Sequence, residues 1–347
     1  MKWIISVTLL CASYSVAPAV GSTDSQQVVC HIAHEYLNDG TKAKLEALLS
    51  APLTKSGFMD ICSKEPNLSG GRAEKYQYLQ DEAVGSDTGK ALPQLTIQAT
   101  RNLPLIGYTD LPRDTQRISN FECPKAATCL MKALLVDTQI LGTTQVNADE
   151  YLDAINRISW HIARLHFPLS FGFSDDLGGH WVRVGNTEIC ARNLNGFWAN
   201  CSWKQGLVNR ALAPDDIEGY AEELHKEVTQ KQEQKWLSGG GLLAWANQSF
   251  RIATSNRMGY CLWRKNQCRY SDEKLSFDPN NQMFDQYSRK VFVGRKAGVA
   301  TQRAGLHNMA FKKLLLDDEY KVWANEVMET RFKQAGVRLA AFLAASL

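Results

Sequence analysis

The stretch from Ile158 to Ala199 is the part of this sequence that most restricts its fold. Apolar residues that lead into this stretch and continue through its first part recur every three or four positions. They predict an amphipathic helix and are Leu152, Ile155, Ile158, Ile162 and Leu165. At about 100° per residue, Trp160 and Arg164 lie one turn apart on another face of that helix. The helix leads into three motifs, which read His166-Phe167-Pro168-Leu169, Gly172-Phe173-Ser174-Asp175-Asp176-Leu177-Gly178-Gly179 and Asn193-Leu194-Asn195-Gly196-Phe197-Trp198-Ala199.

These motifs resemble the class I, zinc-dependent single-strand nucleases of fungi, plants and trypanosomatids, whose fold is shared with bacterial zinc phospholipase C. In that family the frame reads His-x-x-x-Asp-x-His-Gln-Pro-Leu-His, then Asp-Asp-x-Gly-Gly-Asn, then Asn-Leu-His-x-x-Trp-Asp. The resemblance implies a mainly α, single-domain helical fold of the phospholipase C and nuclease type, and we expect one small β-hairpin in it. It also implies cleavage of single-stranded RNA and DNA and removal of 3′-phosphates, with three zinc ions.

The family's zinc positions carry other residues in this chain. Of the nine zinc-binding positions, one still carries the family's metal-binding residue, and that residue is Asp60. The replaced positions are Gly21, Gln26, Gln77, Trp160, Arg164, Ser170, Asn195 and Ala199. Zinc binds imidazole nitrogen, thiolate or carboxylate oxygen, which tryptophan, arginine and alanine cannot supply. We therefore predict no bound metal, no cofactor and no catalytic residue.

A residual cleft is the first functional hypothesis that follows. We expect Arg164 to pair with Asp60, and these two with His166 and His180 to line a cleft. Such a cleft would bind a nucleotide, single-stranded nucleic acid or a protein partner. We interpret His166, a lone imidazole without partner ligands, as a hydrogen-bonded structural residue.

The alternative is an active phosphodiesterase with an atypical metal site. Its ligands would come from Asp60, His161, His166 or His180, and it would cleave single-stranded nucleic acid. Zinc content and EDTA-sensitive cleavage would separate this enzyme from an inactive homologue.

The N-terminus predicts secretion. Met1-Lys2 precedes an apolar run from Trp3 to Val16, and Ala19-Val20-Gly21 supplies small residues for cleavage, so we assign residues 1–21 to a signal peptide and residues 22–347 to one mature domain. Without Cys11, eight cysteines remain, an even number that suits an oxidising compartment. Three sequons predict glycosylation at Asn67, Asn200 and Asn247.

The connectivity of these cysteines is not fixed by the sequence. The spacings suggest three local bridges, Cys123 to Cys129, Cys190 to Cys201 and Cys261 to Cys268, which would leave Cys30 to pair with Cys62.

Most of the mature chain reads as helix. The predicted helices cover Gln26–Leu37, Lys42–Leu49, about Ala126–Leu141, a site helix opened by Asn147 or Asp149, Pro214–Trp236, Leu243–Ile252 and a last helix carrying Met328, Phe332, Leu339 and Leu343. Between them we expect a loop over Gly85–Asp114 and a hairpin over Trp181–Arg192. A net charge of +3 provides no strong field for nucleic acid, and we expect a monomer without a membrane anchor.

Overall fold

The computed structural model of the chain describes residues 23–63, 107–109, 111–121, 129–142, 147–173, 178–179, 182–185, 191, 193–259, 261–264, 267–269, 275–277 and 312–347. The predicted signal peptide, and most of the loop predicted over Gly85–Asp114, lie outside these residues. The assignment of residues 22–347 to one domain stays a prediction.

Helices dominate the described residues, which confirms the mainly α fold class. They are α1 (Thr23–Tyr36), α2 (Asp39–Leu49), α3 (Lys55–Cys62), α4 (Leu130–Leu141), α5 (Ala148–Leu165), α6 (Leu194–Asn200), α7 (Lys204–Asn209), α8 (Ile217–Lys226), α9 (Gln230–Ser238), α10 (Leu242–Ala253) and α11 (Asp318–Ser346). Two short 3-10 helices cover Pro168–Phe171 and Asn256–Met258. None of the described helices is both long and apolar enough to cross a lipid bilayer.

Five short strands accompany the helices: β1 (Arg183–Gly185), β2 (Leu262–Arg264), β3 (Gln267–Arg269), β4 (Leu275–Phe277) and β5 (Lys312–Leu315). β5 lies between β1, which is parallel to it, and β4, which is antiparallel. The antiparallel pair β2 and β3 is a small hairpin. The described part of the predicted Trp181–Arg192 hairpin is residues 182–185 and 191. β1 within it pairs with the distant β5, and the rest of the predicted return strand lies outside the description.

Side-chain caps fix where several helices begin. Asn147 accepts the N–H of Glu150 at the start of α5, which selects the first of the two predicted openings. Asp317 accepts the N–H of Tyr320 at the start of α11. Each cap satisfies a backbone donor that the helix cannot pair by itself.

The helix predicted from Pro214 to Trp236 is wrong in one respect, because the segment forms two helices. Thr229 and Gln232 make a reciprocal capping box at the start of α9, so the chain stops one helix and begins another there. The capping box was visible in the sequence as Thr-x-x-Gln, but the charged pattern on both sides continued through it.

Helices α1, α5 and α11 form the centre of the core. α1 packs along α11 and α8, while α5 packs against α4, α3 and α11. The predicted stripe of α5 faces this core: Ile155, Ile158, Ile162 and Leu165 are buried, and Leu152 packs at its edge. Burial of each such side chain contributes about 1.5–3 kcal/mol, so the stripe is what holds α5 in place.

One disulfide fastens the end of α3 to α1. Cys30 and Cys62 are bonded, with Cα atoms 5.8 Å apart, which confirms that pairing. Cys129, Cys201 and Cys261 are also disulfide-bonded. Their predicted partners Cys123 and Cys190 lie outside the described residues, and the side chain of Cys268 does too, so these three bridges stay predictions.

Gly336 allows the closest approach between α1 and α11. A Cβ at this position would lie 2.6 Å from Ile32 Cβ and 3.2 Å from the backbone nitrogen of Ala33. We expect Gly336→Ala to lower the free energy of unfolding by about 1–3 kcal/mol, because the helices must separate to accept the methyl group. Urea denaturation measures this change. Gly142→Ala is the control, since its Cβ would meet only ordinary contacts, and an equal effect of both substitutions would contradict the prediction.

Candidate functional site

The two replaced zinc positions on α5 are buried. Trp160 is 4% exposed and Arg164 is 9% exposed. Arg164 Nε donates to the carbonyl of Gly107 at 3.2 Å, and its guanidinium lies 4.5 Å from the centre of the Phe167 ring. This face of α5 therefore carries an aromatic ring and a permanent cation where a metal would need lone pairs.

A segment of the chain crosses directly over this face. We call residues 107–109 and 111 the covering segment. Thr109 N donates to Ser170 O at 2.6 Å, and Leu111 N donates to Gly172 O at 3.0 Å. A Cβ at Gly107 would lie 2.7 Å from Trp160 Cη2, so only glycine allows the backbone to approach this closely.

The predicted ion pair between Arg164 and Asp60 is wrong. The structure describes both side chains, and among the described residues no basic group lies within 4.0 Å of the Asp60 carboxylate, which is exposed. The reason is the orientation of α3. Its Phe58, Ile61 and Cys62 face the core, and so Asp60 faces outward.

Asp60 lies instead in an open groove of about 770 Å³. His31, Lys55 and Glu218 line it as well. Lys55 Nζ already pairs with Glu218 at 2.8 Å and with Glu222 at 3.1 Å. The residual cleft that we predicted from Asp60, Arg164 and His166 is therefore not one surface, and its fourth member, His180, lies outside the described residues.

The other replaced positions serve as structural hydrogen-bond partners or as core. Gln26 Nε2 donates to Cys62 O at 2.7 Å, and Asn195 Nδ2 donates to Gly178 O at 2.9 Å. Ser170 is fully buried under the covering segment, and Ala199 is buried with its carbonyl accepting from Trp203 Nε1. Gln77 and Gly21 lie outside the description.

His166 is engaged at both ring nitrogens, as expected of a structural residue. Nδ1 lies 2.8 Å from Ile162 O and donates to it, which leaves Nε2 to accept from Arg338 Nη1 at 2.9 Å. Burial, together with the nearby Arg331 and Arg338, holds the pKa of His166 well below its usual 6.5. The ring is therefore neutral and its lone pair is already used.

This neutral histidine predicts a pH dependence of stability. Its folded pKa lies below the unfolded value, so its contribution is complete above about pH 6.5 and declines as the pH falls below that value. We expect the free energy of unfolding to fall by up to about 1.4 kcal/mol per pH unit between pH 6.5 and 5. His31, whose pKa burial also lowers, adds a dependence of the same sign.

Comparison with His166→Gln isolates the contribution of His166. The variant should be less stable at pH 7.5 and should lose less stability on acidification, as measured by urea denaturation at each pH. Equal slopes for the variant and the wild-type protein would contradict the assignment.

A buried charged cluster between α4 and α5 is a feature that the sequence reading missed. Arg157 Nε lies 2.7 Å from Asp137 Oδ1, and His161 Nδ1 lies 3.1 Å from Asp137 Oδ2. The His161 contact is close but poorly directed, so it is not an aligned hydrogen bond. Asp137 stands within an otherwise apolar helix, Leu-Met-Lys-Ala-Leu-Leu-Val-Asp, and that break in the pattern was the available signal.

The described residues form no group that fits a zinc centre. Within the described ranges, no three His, Cys, Asp or Glu side chains come together in a way that could hold a metal ion. His161 and His166, two members of the atypical site that we considered, have different neighbours, since one contacts Asp137 and the other Arg338.

Glycosylation at Asn247 stays a prediction, and the structure shows the side-chain amide of this residue already engaged. Its amide Nδ2 donates to Ile118 O at 2.8 Å and to Leu243 O at 2.7 Å, and its Oδ1 accepts from Ile118 N. A glycan on Nδ2 would remove one of these donors from a half-buried site. Asn200 is half-exposed at the end of α6, and Asn67 lies outside the described residues.

The sequence was compared with curated proteins and with protein families. No curated protein matches the sequence. The profile of the S1/P1 nuclease family matches residues 26–347, which include the site helix, the replaced ligand positions other than Gly21, and the C-terminal helix. The chain belongs to the S1/P1 nuclease family.

Proposed function

We propose that this chain is a secreted member of the family that has lost metal-dependent phosphodiester hydrolysis and acts by binding a partner. The observation that carries the proposal is the face of α5, where Trp160 and Arg164 occupy ligand positions and lie under the covering segment. Metal-assisted hydrolysis needs a cation that activates water at an open coordination position. A guanidinium at that point repels a second cation, and the segment above it excludes a substrate.

The buried position of Arg164 also bears on what the partner is. A nucleotide phosphate would need the Arg164 guanidinium, which is directed at a backbone carbonyl and an aromatic ring. The groove around Asp60 offers Lys55 as a cation, and Lys55 is held by two carboxylates. These contacts favour a protein partner over a nucleotide or single-stranded nucleic acid.

Secretion belongs to the same proposal. The hydrophobic N-terminus and the even number of mature cysteines favour it, and the bond between Cys30 and Cys62 supports it because such bonds persist in oxidising compartments. Expression in a eukaryotic host shows whether the protein is secreted, and elemental analysis of the secreted protein shows whether it binds zinc.

We expect well below one zinc ion per chain, no cleavage of single-stranded DNA in the presence of added zinc, and an unchanged Tm after EDTA treatment. The unchanged Tm follows because a metal that contributes to folding lowers Tm when it is removed. Near-stoichiometric zinc together with EDTA-sensitive cleavage would overturn the proposal and establish the active enzyme with an atypical site.

A further inference from the structure

Two buried arginines on α11 carry charge without a counter-ion. Arg331 and Arg338 are seven residues apart on one face of the helix, and they are 2% and 0% exposed. Neither forms an ion pair with any carboxylate in the described part of the chain. A buried guanidinium is ordinarily matched by an acid, because its desolvation is expensive.

All hydrogen-bond partners of this pair are neutral groups. Arg331 Nε donates to His166 O at 2.9 Å and Nη2 to Ser249 Oγ at 2.6 Å, while Nη1 donates to Gln334 Oε1. Arg338 Nε donates to Trp236 O at 3.2 Å. The two guanidiniums meet at Gln248 Oε1, which accepts from Arg331 Nη1 at 3.2 Å and from Arg338 Nη1 at 2.9 Å.

Both groups remain charged despite this environment. Burial lowers the pKa of Arg338 to about 10, which leaves the guanidinium protonated at neutral pH. Burial and the charge of Arg338 also lower the pKa of Arg331, although a guanidinium keeps its proton in proteins. One amide oxygen thus faces two like charges, and the dipole of Gln248 cannot neutralise them.

The polar atoms left over at this cluster are donors. Arg338 Nη2 and Trp245 Nε1 are buried and donate to no acceptor within the described residues. The Arg338 guanidinium lies 4.8 Å from the centre of the Trp245 ring, so the two side chains are in direct contact. Nη2 faces Gly239, where a Cβ would lie 3.9 Å away, and Gly239 and Gly240 are exposed. The cluster therefore has buried hydrogen-bond donors that lack an acceptor among the described residues, and they lie beneath a turn of exposed glycines.

We propose that a small inorganic anion of halide size binds at Arg338 Nη2, beneath the turn from Gly239 to Gly241, and neutralises the arginine pair. A group that fills the open donor of Arg338 and offsets two positive charges must be an acceptor with negative charge. The buried position favours a monatomic anion such as chloride. This site is independent of the loss of metal ligands, and it would stand if the protein proved to be an active enzyme.

The test measures thermal unfolding of the full protein in sodium chloride, sodium bromide and sodium gluconate at equal ionic strength. At ten times the dissociation constant, chloride should raise Tm by about 3 °C relative to gluconate, since a ligand of the folded state stabilises by mass action. Crystals grown in bromide should show an anomalous peak within about 3.5 Å of Arg338 Nη2. Equal Tm values in all three salts, or bromide crystals without that peak, would overturn the proposal.

Gln248→Glu is the matched variant, because it places a carboxylate where both guanidiniums already donate. It should fold, melt at a higher temperature than the wild-type protein in gluconate, and lose the chloride dependence, since the internal charge replaces the external anion. Effects of salt that do not involve this site change the Tm of both proteins equally, so they cancel when the chloride dependence of the variant is subtracted from that of the wild-type protein. If Gln248→Glu keeps the full chloride dependence, the dependence arises elsewhere and the site is wrong.

Discussion

Replacing Trp160 with alanine should lower the free energy of unfolding by about 3–5 kcal/mol, because it leaves a cavity under the covering segment. The indole is 4% exposed, packs edge-on against the His161 ring at 5.3 Å, and meets the backbone at Gly107. The side chain thus fills the space between α5 and the covering segment. Urea denaturation followed by tryptophan fluorescence or circular dichroism measures the change.

Trp263→Ala is the control for this prediction. It removes the same side chain from the β2 strand, where the residue is 37% exposed, so we expect a change below about 1 kcal/mol. If Trp160→Ala lowers the free energy of unfolding by no more than this control does, Trp160 does not support the core. The interpretation of this face as a packed one would then fail.

Removing the Cys30–Cys62 bond should cost about 3–4 kcal/mol in the double variant Cys30→Ala and Cys62→Ala. The bond closes a loop with a sequence separation of 32 residues, and a cross-link of that length restricts the unfolded chain by about this amount. Both sulfurs are fully buried, so alanine adds no polar group to the core. Urea denaturation of the secreted variant measures the loss.

The remaining disulfides must stay intact for this comparison to be clean. Mass spectrometry of non-reduced peptides checks that Cys129, Cys201 and Cys261 are still bonded, as they are in the wild-type structure. A double variant within 1 kcal/mol of the wild-type protein would show that the hydrogen bonds from Gln26 and Asn156 to this end of α3 suffice without the bond.

The helices of this protein were readable from sequence wherever one face is apolar. The stripe from Ile155 to Leu165 and the stripe through Met328 and Phe332 are both buried as expected, since periodicity alone decides which face meets the core. The division between α8 and α9 was missed because charged residues continue through it, and only the local bonding of Thr229 ends one helix and begins the next.

The candidate site was predictable in chemistry but not in geometry. That tryptophan and arginine at positions 160 and 164 cannot bind zinc follows from residue types alone, whereas the partner of Arg164 depends on where a distant segment lies. Gly107 is 57 residues away in sequence, and no periodic pattern marks it. The outward direction of Asp60 likewise follows from how α3 packs, and one motif match cannot supply that information.

The shared contact of Arg331 and Arg338 with Gln248 is a third feature that the sequence alone does not predict. Arg338 lies on the last predicted helix, yet its meeting with Arg331 at Gln248 needs α10 and α11 to be in place first. Charge balance inside a core is a property of the assembled helices. It becomes visible only when the three-dimensional neighbours of each charged group are known.

The covering segment behaves as a competitor that is tied to its own binding site. A tethered group of this kind is present at an effective concentration of millimolar or more. Any phosphate compound that reaches Arg164 must first displace it, and its apparent Kd is weakened by the fraction of molecules in which the segment has moved away. A screen with free nucleotides at micromolar concentration would then report no binding.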